Sequence, residues 1–221
     1  MLVRERMSHP VITIRPETTM QEALDIMHRE HVRRLPVVDK RGQLVGIVTD
    51  ADLDRASPSE ATTLSVWEIR ELISKVKVER IMASEVVTID DDTPIEEAAR
   101  IMADGKISGL PVLHEGKLVG LITETDLFKI FLELFGAREP GVRLTLEVPR
   151  GPGTLARLTR SIFELGGDIV ALGTYMGENS ETGEIILKVE GVECEDLVEA
   201  VTPLVSRVLD VRQTSTKYST G

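Results

Sequence analysis

The sequence predicts two tandem α/β units of order βαββα, followed by one α+β unit of order βαββαβ. Three observations predict it. A long stretch recurs in register, each copy switches between strand-like and helical apolar spacing, and a breaker cluster at Glu139-Pro140-Gly141 marks a change of pattern.

Met7 to Leu53 matches Met82 to Leu127, about 75 residues later, with one residue fewer near Glu115. Val11-Ile12-Thr13-Ile14 returns as Val86-Val87-Thr88-Ile89, and Leu35-Pro36-Val37 as Leu110-Pro111-Val112. Leu44-Val45-Gly46-Ile47-Val48-Thr49 returns as Leu118-Val119-Gly120-Leu121-Ile122-Thr123, then Asp52-Leu53 as Asp126-Leu127.

Each copy reads as strand, helix, strand, strand, helix. The β-branched Val11 to Ile14 and Val86 to Ile89 are the first strands. Thr18-Thr19-Met20-Gln21 and Thr93-Pro94-Ile95-Glu96 open helices, with Thr as cap and Pro94 at the first helical position. Met20, Ala23, Leu24, Met27 and Ile95, Ala98, Ala99, Met102 form the apolar stripes. Leu35 to Val38 and Leu44 to Val48 are strands joined by a turn at Lys40-Arg41-Gly42; Glu115-Gly116 makes the shorter turn of the second copy. A last helix opens after Thr49 and another after Thr123, the latter stopping at Gly136. Between the copies, Ser65-Val66-Trp67-Glu68 reads as a capping box for a helix striped by Val66, Ile69, Leu72, Ile73 and Val76.

The third unit alternates from Val142 to Val148, turns at Pro149 to Gly153 and continues as an amphipathic helix from Thr154 to Leu165. Asp168 to Met176 and Glu184 to Val189 read as strands, Glu193 to Val205 as a helix and Arg207 to Arg212 as a final strand, which together make a ferredoxin-like order. The expected limits are 1–60 and 79–136 for the repeats, 61–78 for the linker helix, 137–141 for a second linker, 142–214 for the third unit and 215–221 for a tail.

Composition bounds the function. With 42% hydrophobic and 29% charged residues the chain can build a core, and with 3% aromatics that core must be aliphatic. A net charge of −11 argues against a general nucleic-acid or anionic-membrane binder. One cysteine, Cys194, excludes an intrachain disulfide and suits a reducing cytosol; the expected location is cytoplasmic. No apolar run approaches a membrane span. There is no phosphate loop, no His-Glu-x-x-His and no paired-cysteine motif. The four histidines are scattered, and Cys194 lies in an acidic run that disfavours a thiolate. Neither catalysis nor a metal site is expected.

The chemistry lies in Thr49-x-x-Asp52 and Thr123-x-x-Asp126, each at a strand end opening a helix. A carboxylate there can accept two ribose hydroxyls, and a Thr hydroxyl with helix N-terminal amides can donate to phosphate. The same spacing also makes a plain helix cap, and duplication would copy either.

The pattern Leu-Pro-Val-Val, then Gly-hydrophobic-hydrophobic-Thr-x-x-Asp, resembles tandem cystathionine-β-synthase (CBS) domains over about Met1 to Gly136. The resemblance implies clefts between the repeats for an adenosine-containing ligand, with AMP, ADP or ATP as regulatory ligand and no required cofactor. It implies that Asp52 and Asp126 hold ribose, that Thr49 and Thr123 lie near phosphate, and that Thr13, Ile14, Thr88 and Ile89 wall the base pocket. Arg33 and Arg34 stand where some members place phosphate-binding cations, while the second copy has Ser108 and Gly109 there with only Lys106 nearby. The two clefts should therefore differ. Arg33-Arg34 also fits an ordinary solvated pair.

Pro152-Gly153-Thr154-Leu155 in the third unit resembles the Pro-Gly-x-Leu turn of ACT domains. That resemblance implies a small-metabolite site involving Gly151, Gly153, Thr154 and Asp168, although a tight strand-to-helix turn also accounts for the glycines. Arg150 and Asp168 depart from the acidic residue and the Asn usual in the family. The whole arrangement resembles the AcuB-type acetoin-utilisation proteins, which implies a link to acetoin or carbon metabolism. The expected protein is a regulatory homodimer acting on an unknown partner; a scaffold without nucleotide response is the alternative.

Overall fold

The computed structural model describes residues 1–57, 74–176 and 181–214. The expected helix at Ser65-Val66-Trp67-Glu68 and the tail lie outside the described residues. The chain divides into two compact units, Met1–Leu127 and Phe128–Gly221.

In the first unit, the first repeat comprises helix α1 (Met20–Glu30), strands β1 (Arg34–Val38) and β2 (Leu44–Thr49), and helix α2 (Asp50–Ala56). The second comprises β3 (Ile89–Asp90), α3 (Ile95–Gly105), β4 (Gly109–His114), β5 (Lys117–Thr123) and α4 (Glu124–Leu134), the last crossing the division between units. β1 pairs antiparallel with β2 and β4 with β5, in matching register: Arg34 faces Thr49, and Gly109 faces Thr123.

The leading strands are shorter than the β-branched runs suggest. In the second copy only Ile89 and Asp90 pair with β4, and in the first only Ile14 bridges to Val37. Just upstream, Ser8 pairs with Leu121 of the other repeat, and Ala83 likewise with Ile47. A segment held by the opposite repeat leaves few residues for its own sheet, so tertiary pairing overrides propensity.

The same exchange corrects both helix starts by one residue. Thr19 rather than Thr18 caps α1: its hydroxyl accepts from the Glu22 amide at 3.3 Å, and Glu22 rather than Gln21 accepts from the Thr19 amide at 2.8 Å. Pro94 is likewise the cap of α3 rather than its first helical residue. The position has no N–H to satisfy, and the Ile95 amide donates to the Met1 carbonyl at 3.2 Å. Its counterpart in α1, the Met20 amide, donates to the Val76 carbonyl at 2.8 Å. The Val3 amide donates to Thr93 and the Val78 amide to Thr18, each at 2.9 Å. Val3 and Val78 are fully buried, and Val78 packs in the first repeat's core with Ile14, Met20, Leu35 and Leu53.

Close approach explains two glycines. A Cβ at Gly46 would lie 2.5 Å from the Met82 sulfur and 3.0 Å from the Ala83 carbonyl oxygen, and one at Gly120 would collide with Met7.

The second unit is an antiparallel sheet of order β7-β8-β6-β9, built from β6 (Gly141–Pro149), β7 (Asp168–Met176), β8 (Thr182–Glu190) and β9 (Arg207–Thr214). Helices α5 (Thr154–Glu164) and α6 (Cys194–Val201) complete the βαββαβ order. Leu144, Leu146, Leu158, Ile162, Leu187 and Leu197 are fully buried in its core. α6 stops earlier than Val205, giving way to a 3-10 turn at Thr202–Leu204, because Pro203 cannot supply the next helical N–H. Gly136 ends α4 with φ of 53°, its amide bonding Glu133 at 3.0 Å and that of Ala137 bonding Leu132 at 2.8 Å.

Gly46→Ala should cost about 1–3 kcal/mol of stability, the range for overpacking a filled site. Urea denaturation of the full chain checks it as a lowered midpoint at unchanged slope.

Candidate functional site

Both hairpins end in a Thr whose extended backbone turns into a helix. At Thr49 the hydroxyl accepts from the Asp52 amide at 3.2 Å and donates to Asp52 Oδ2 at 2.7 Å, while the Thr49 amide donates to the same oxygen at 2.9 Å. Arg55 pairs with Asp52 Oδ1. Thr123 and Asp126 repeat the arrangement, at 3.4 Å from the Asp126 amide and 2.8 and 3.0 Å to Oδ2. Burial pushes the Asp52 carboxyl upward in pKa, but the Thr49 hydroxyl and amide with Arg55 outweigh it, and the net value lies below the ordinary one.

Arg34 opens β1 beside this turn. Its guanidinium is half-buried, donates to Ser108 Oγ at 2.6 Å, and packs where a Cβ on Gly109 would stand. Burial lowers its pKa, with Asp50, Glu124 and Asp126 acting in the opposite sense.

Three cavities matter. The first, about 410 Å³, brings Arg33 and Arg34 together with Thr123 and Asp126, and is also lined by Ser8, His31, Ser108 and Glu124. The second, about 580 Å³, shares His31, Val32 and Arg33 and extends between α1 and α2 to His28, Asp50 and Asp54. The third, about 630 Å³, lies in the second unit at the Pro149-to-Gly153 loop, with Thr154, Tyr175 and Glu184 in its lining. There Gly153 takes a φ of 87°, and the Thr154 hydroxyl donates to the carbonyls of Pro149 at 3.3 Å and Gly151 at 3.4 Å. Tyr175 bonds Glu184, which raises the phenol's pKa.

The structure thus gathers Arg33 and Arg34 with the Thr-x-x-Asp of the opposite repeat. Thr49 and Asp52 occupy the equivalent turn. Thr13, Ile14, Thr88, Ile89 and Lys106 line none of the three cavities: Ile14 and Ile89 are buried at the sheets, and Lys106 is the exposed left-handed cap of α3. Gly151, Gly153 and Thr154 line the third cavity, whereas Asp168 begins β7 opposite Glu190. Ser108, placed by sequence at the position equivalent to Arg33 but given no binding role there, lines the first cavity. Tyr175 and Glu184 escaped the sequence reading, and nothing in the sequence pointed to them.

Comparison with known proteins decides the family. Residues 3–59 and 78–133 match the CBS domain, and residues 140–212 match the TTHA0829-like ACT domain. The chain belongs to the CBS-domain family. It also carries an ACT domain. A CBS domain-containing protein of Dictyostelium discoideum is 38% identical over 134 residues, covering 60% of this chain and 92% of that protein. Other curated relatives are longer: the chain spans 34% of inosine-5'-monophosphate dehydrogenase from Aquifex aeolicus, at 31% identity over 81% of this chain. Among solved structures, the CBS domain pair of protein MJ0100 in complex with 5'-methylthioadenosine and S-adenosyl-L-methionine matches with TM-score 0.50 and 31% identity, over 59% of this chain and 95% of that one. An acetoin utilization protein (AcuB) from Vibrio cholerae matches with TM-score 0.52 and 27% identity, over 63% and 96%. Among the described residues no helix is long and apolar enough to cross a membrane, and no group of three His, Cys, Asp or Glu side chains is placed to hold a metal.

Thr49→Ala should cost about 0.5–2 kcal/mol through loss of the cap. Because the hydroxyl stabilises the Asp52 carboxylate, the cost is largest above the ordinary Asp pKa and shrinks as pH falls through the lowered pKa of Asp52. Denaturation midpoints of both proteins across the acid range, with carboxyl titration by NMR, check the sign.

Proposed function

We propose that this chain is a non-catalytic regulatory sensor that binds an adenine nucleotide, or a related adenosyl compound, between its CBS repeats. The observation that carries the reading is the cavity where Arg33 and Arg34 of one repeat meet Thr123 and Asp126 of the other, a space of ligand size with both anion- and diol-binding chemistry. The complex of the MJ0100 CBS pair with two adenosyl compounds supports it.

In this reading Asp126 and Asp52 accept ribose hydroxyls, and Thr123 and Thr49 lie beside phosphate. Arg33 and Arg34 supply charge, and the backbone of Thr13, Ile14, Thr88 and Ile89 meets the base, with Lys106 at the margin. AMP, ADP and ATP are the nucleotides proposed. The cavity at Gly151, Gly153 and Thr154 is proposed as a second site for a small metabolite. Likeness to the Vibrio protein supports a link to acetoin or carbon metabolism. Exposed Phe128, Phe131 and Leu134 on α4 support a homodimer that signals to a partner protein.

A scaffold without nucleotide response is the second reading, and one observation favours it: both Thr-x-x-Asp pairs are already closed as capping boxes.

Thermal shift with AMP, ADP, ATP and S-adenosylmethionine separates the two readings, because a ligand at 100 times its Kd adds about 2.7 kcal/mol. At least one should raise the melting temperature, and Asp126→Ala should weaken that ligand roughly tenfold to a hundredfold by loss of charge-assisted bonds. No response to any of the four leaves the scaffold.

A further inference from the structure

The space around the proposed adenosyl cleft does not end at Arg33. His31, Val32 and Arg33 line both that cleft and the cavity of about 580 Å³ that extends between α1 and α2. The two spaces therefore adjoin along the turn from α1 into β1. The lining of the second combines apolar Leu24, Met27 and Val32 with the charges of Arg33, Asp50 and Asp54. Among the described residues, no hydrogen bond or ion pair occupies the side chain of Arg33 or of Asp54, so a cation and an anion face one space without neutralising each other.

The fold does not demand this set of charges. At the equivalent positions of the second repeat His28 becomes Ala103, Arg33 becomes Ser108 and Asp54 becomes Phe128, while Met27 returns as Met102. Helices α3 and α4 form without those groups, so helix packing does not require them. Charge then decides what fits. Across the two adjoining cavities two guanidiniums, Arg33 and Arg34, stand against four carboxylates, Asp50, Asp54, Glu124 and Asp126. A polyphosphate reaching past Arg33 brings several negative charges to Asp50 and Asp54 with one guanidinium to balance them, which is repulsive. A group with one anion and one cation a few bonds apart finds a complement for each.

We propose that the cavity between α1 and α2 is a subsite for an α-amino-acid group, and that the ligand of the adjoining cleft is an adenosyl compound with an amino-acid tail. Arg33 takes the tail's carboxylate through its planar fork, and Asp50 and Asp54 take its ammonium. Leu24, Met27 and Val32 cover the methylenes that join the tail to the adenosyl end. The inference rests on the proposed adenosyl cleft and names the class of compound that fills it.

Calorimetry on the full chain tests it with S-adenosylhomocysteine, 5'-methylthioadenosine and ATP. The first two share adenosine and a thioether and differ in the amino-acid tail. S-adenosylhomocysteine should bind roughly tenfold or more tighter than methylthioadenosine, and tighter than ATP. Asp54 lines this cavity and not the adenosyl cleft. Asp54→Asn, which removes charge at nearly constant size, should therefore weaken S-adenosylhomocysteine roughly tenfold and leave methylthioadenosine within about twofold. Equal affinities for the two thioethers, ATP binding tighter than either, or equal losses for both thioethers in D54N would each overturn the subsite while leaving adenosyl binding intact. If none of the three binds the unaltered chain, the reading of the cleft fails as well. Should D54N lose its far-UV circular dichroism, the three affinities of the unaltered chain decide alone.

Discussion

Val78 belongs by sequence to the second CBS repeat, yet it is fully buried in the core of the first, while Val3 of the first donates its amide to Thr93 of the second. Burying each valine contributes about 1.5–3 kcal/mol, and each backbone bond to the opposite repeat about 1 kcal/mol. Against a usual domain stability of about 5–15 kcal/mol, the exchange is a large share of what holds either half. Repeats of this size bury too little surface to be robust alone. The exchanged segments therefore make the pair, not the repeat, the folding unit.

That exchange also fixes where chemistry can occur. With Met7 seated over Gly120 and Met82 over Gly46, each repeat's leading segment lies on the other's hairpin, and Arg34 at the start of β1 meets Ser108 just before β4. There the duplication is broken by two substitutions in kind: Arg33-Arg34 on one side, Ser108-Gly109 on the other. Duplication explains the shared caps, whose geometry is nearly identical in the two turns. It cannot explain the charge difference between Arg33-Arg34 and Ser108-Gly109, which makes the two turns electrostatically unlike.

The helices and paired strands were readable because their signals are local. Gly136 acts within one turn of chain, and the apolar spacing of β6 and α5 is set by the single core they face. The expected end of α6 at Val205 is an overrun, because its apolar spacing continues past the stop at Pro203. In the CBS pair the misread elements are those whose fate depends on the other repeat. Val11 to Ile14 has strand propensity, but its neighbours are pulled toward Leu121; Pro94 is displaced by a bond from Ile95 to Met1. The site follows the same rule. Residue types at Arg33, Arg34, Thr123 and Asp126 were legible, but their meeting in one cavity was not, because a linear sequence shows each copy's own pairings and not which side chain crosses between copies.

The ACT unit treats an unfavourable group by a comparable logic. Lys188 lies on β8 on the face away from the Leu187 core, and it is nonetheless buried. Phe135 sits where a side chain on Gly173 would stand, and the Lys188 ammonium donates to the Gly136 carbonyl at 2.7 Å. Burial lowers the pKa of that ammonium, while Glu139 and Glu190 act to raise it and Arg143 to lower it. A buried ammonium is tolerable only when its donors find acceptors, and Gly136 supplies one because the left-handed end of α4 leaves its carbonyl outside the helix ladder. The residue that stops the helix is thus the one that anchors the chain leaving it, and the glycine serves both ends because no Cβ stands between its backbone and the sheet.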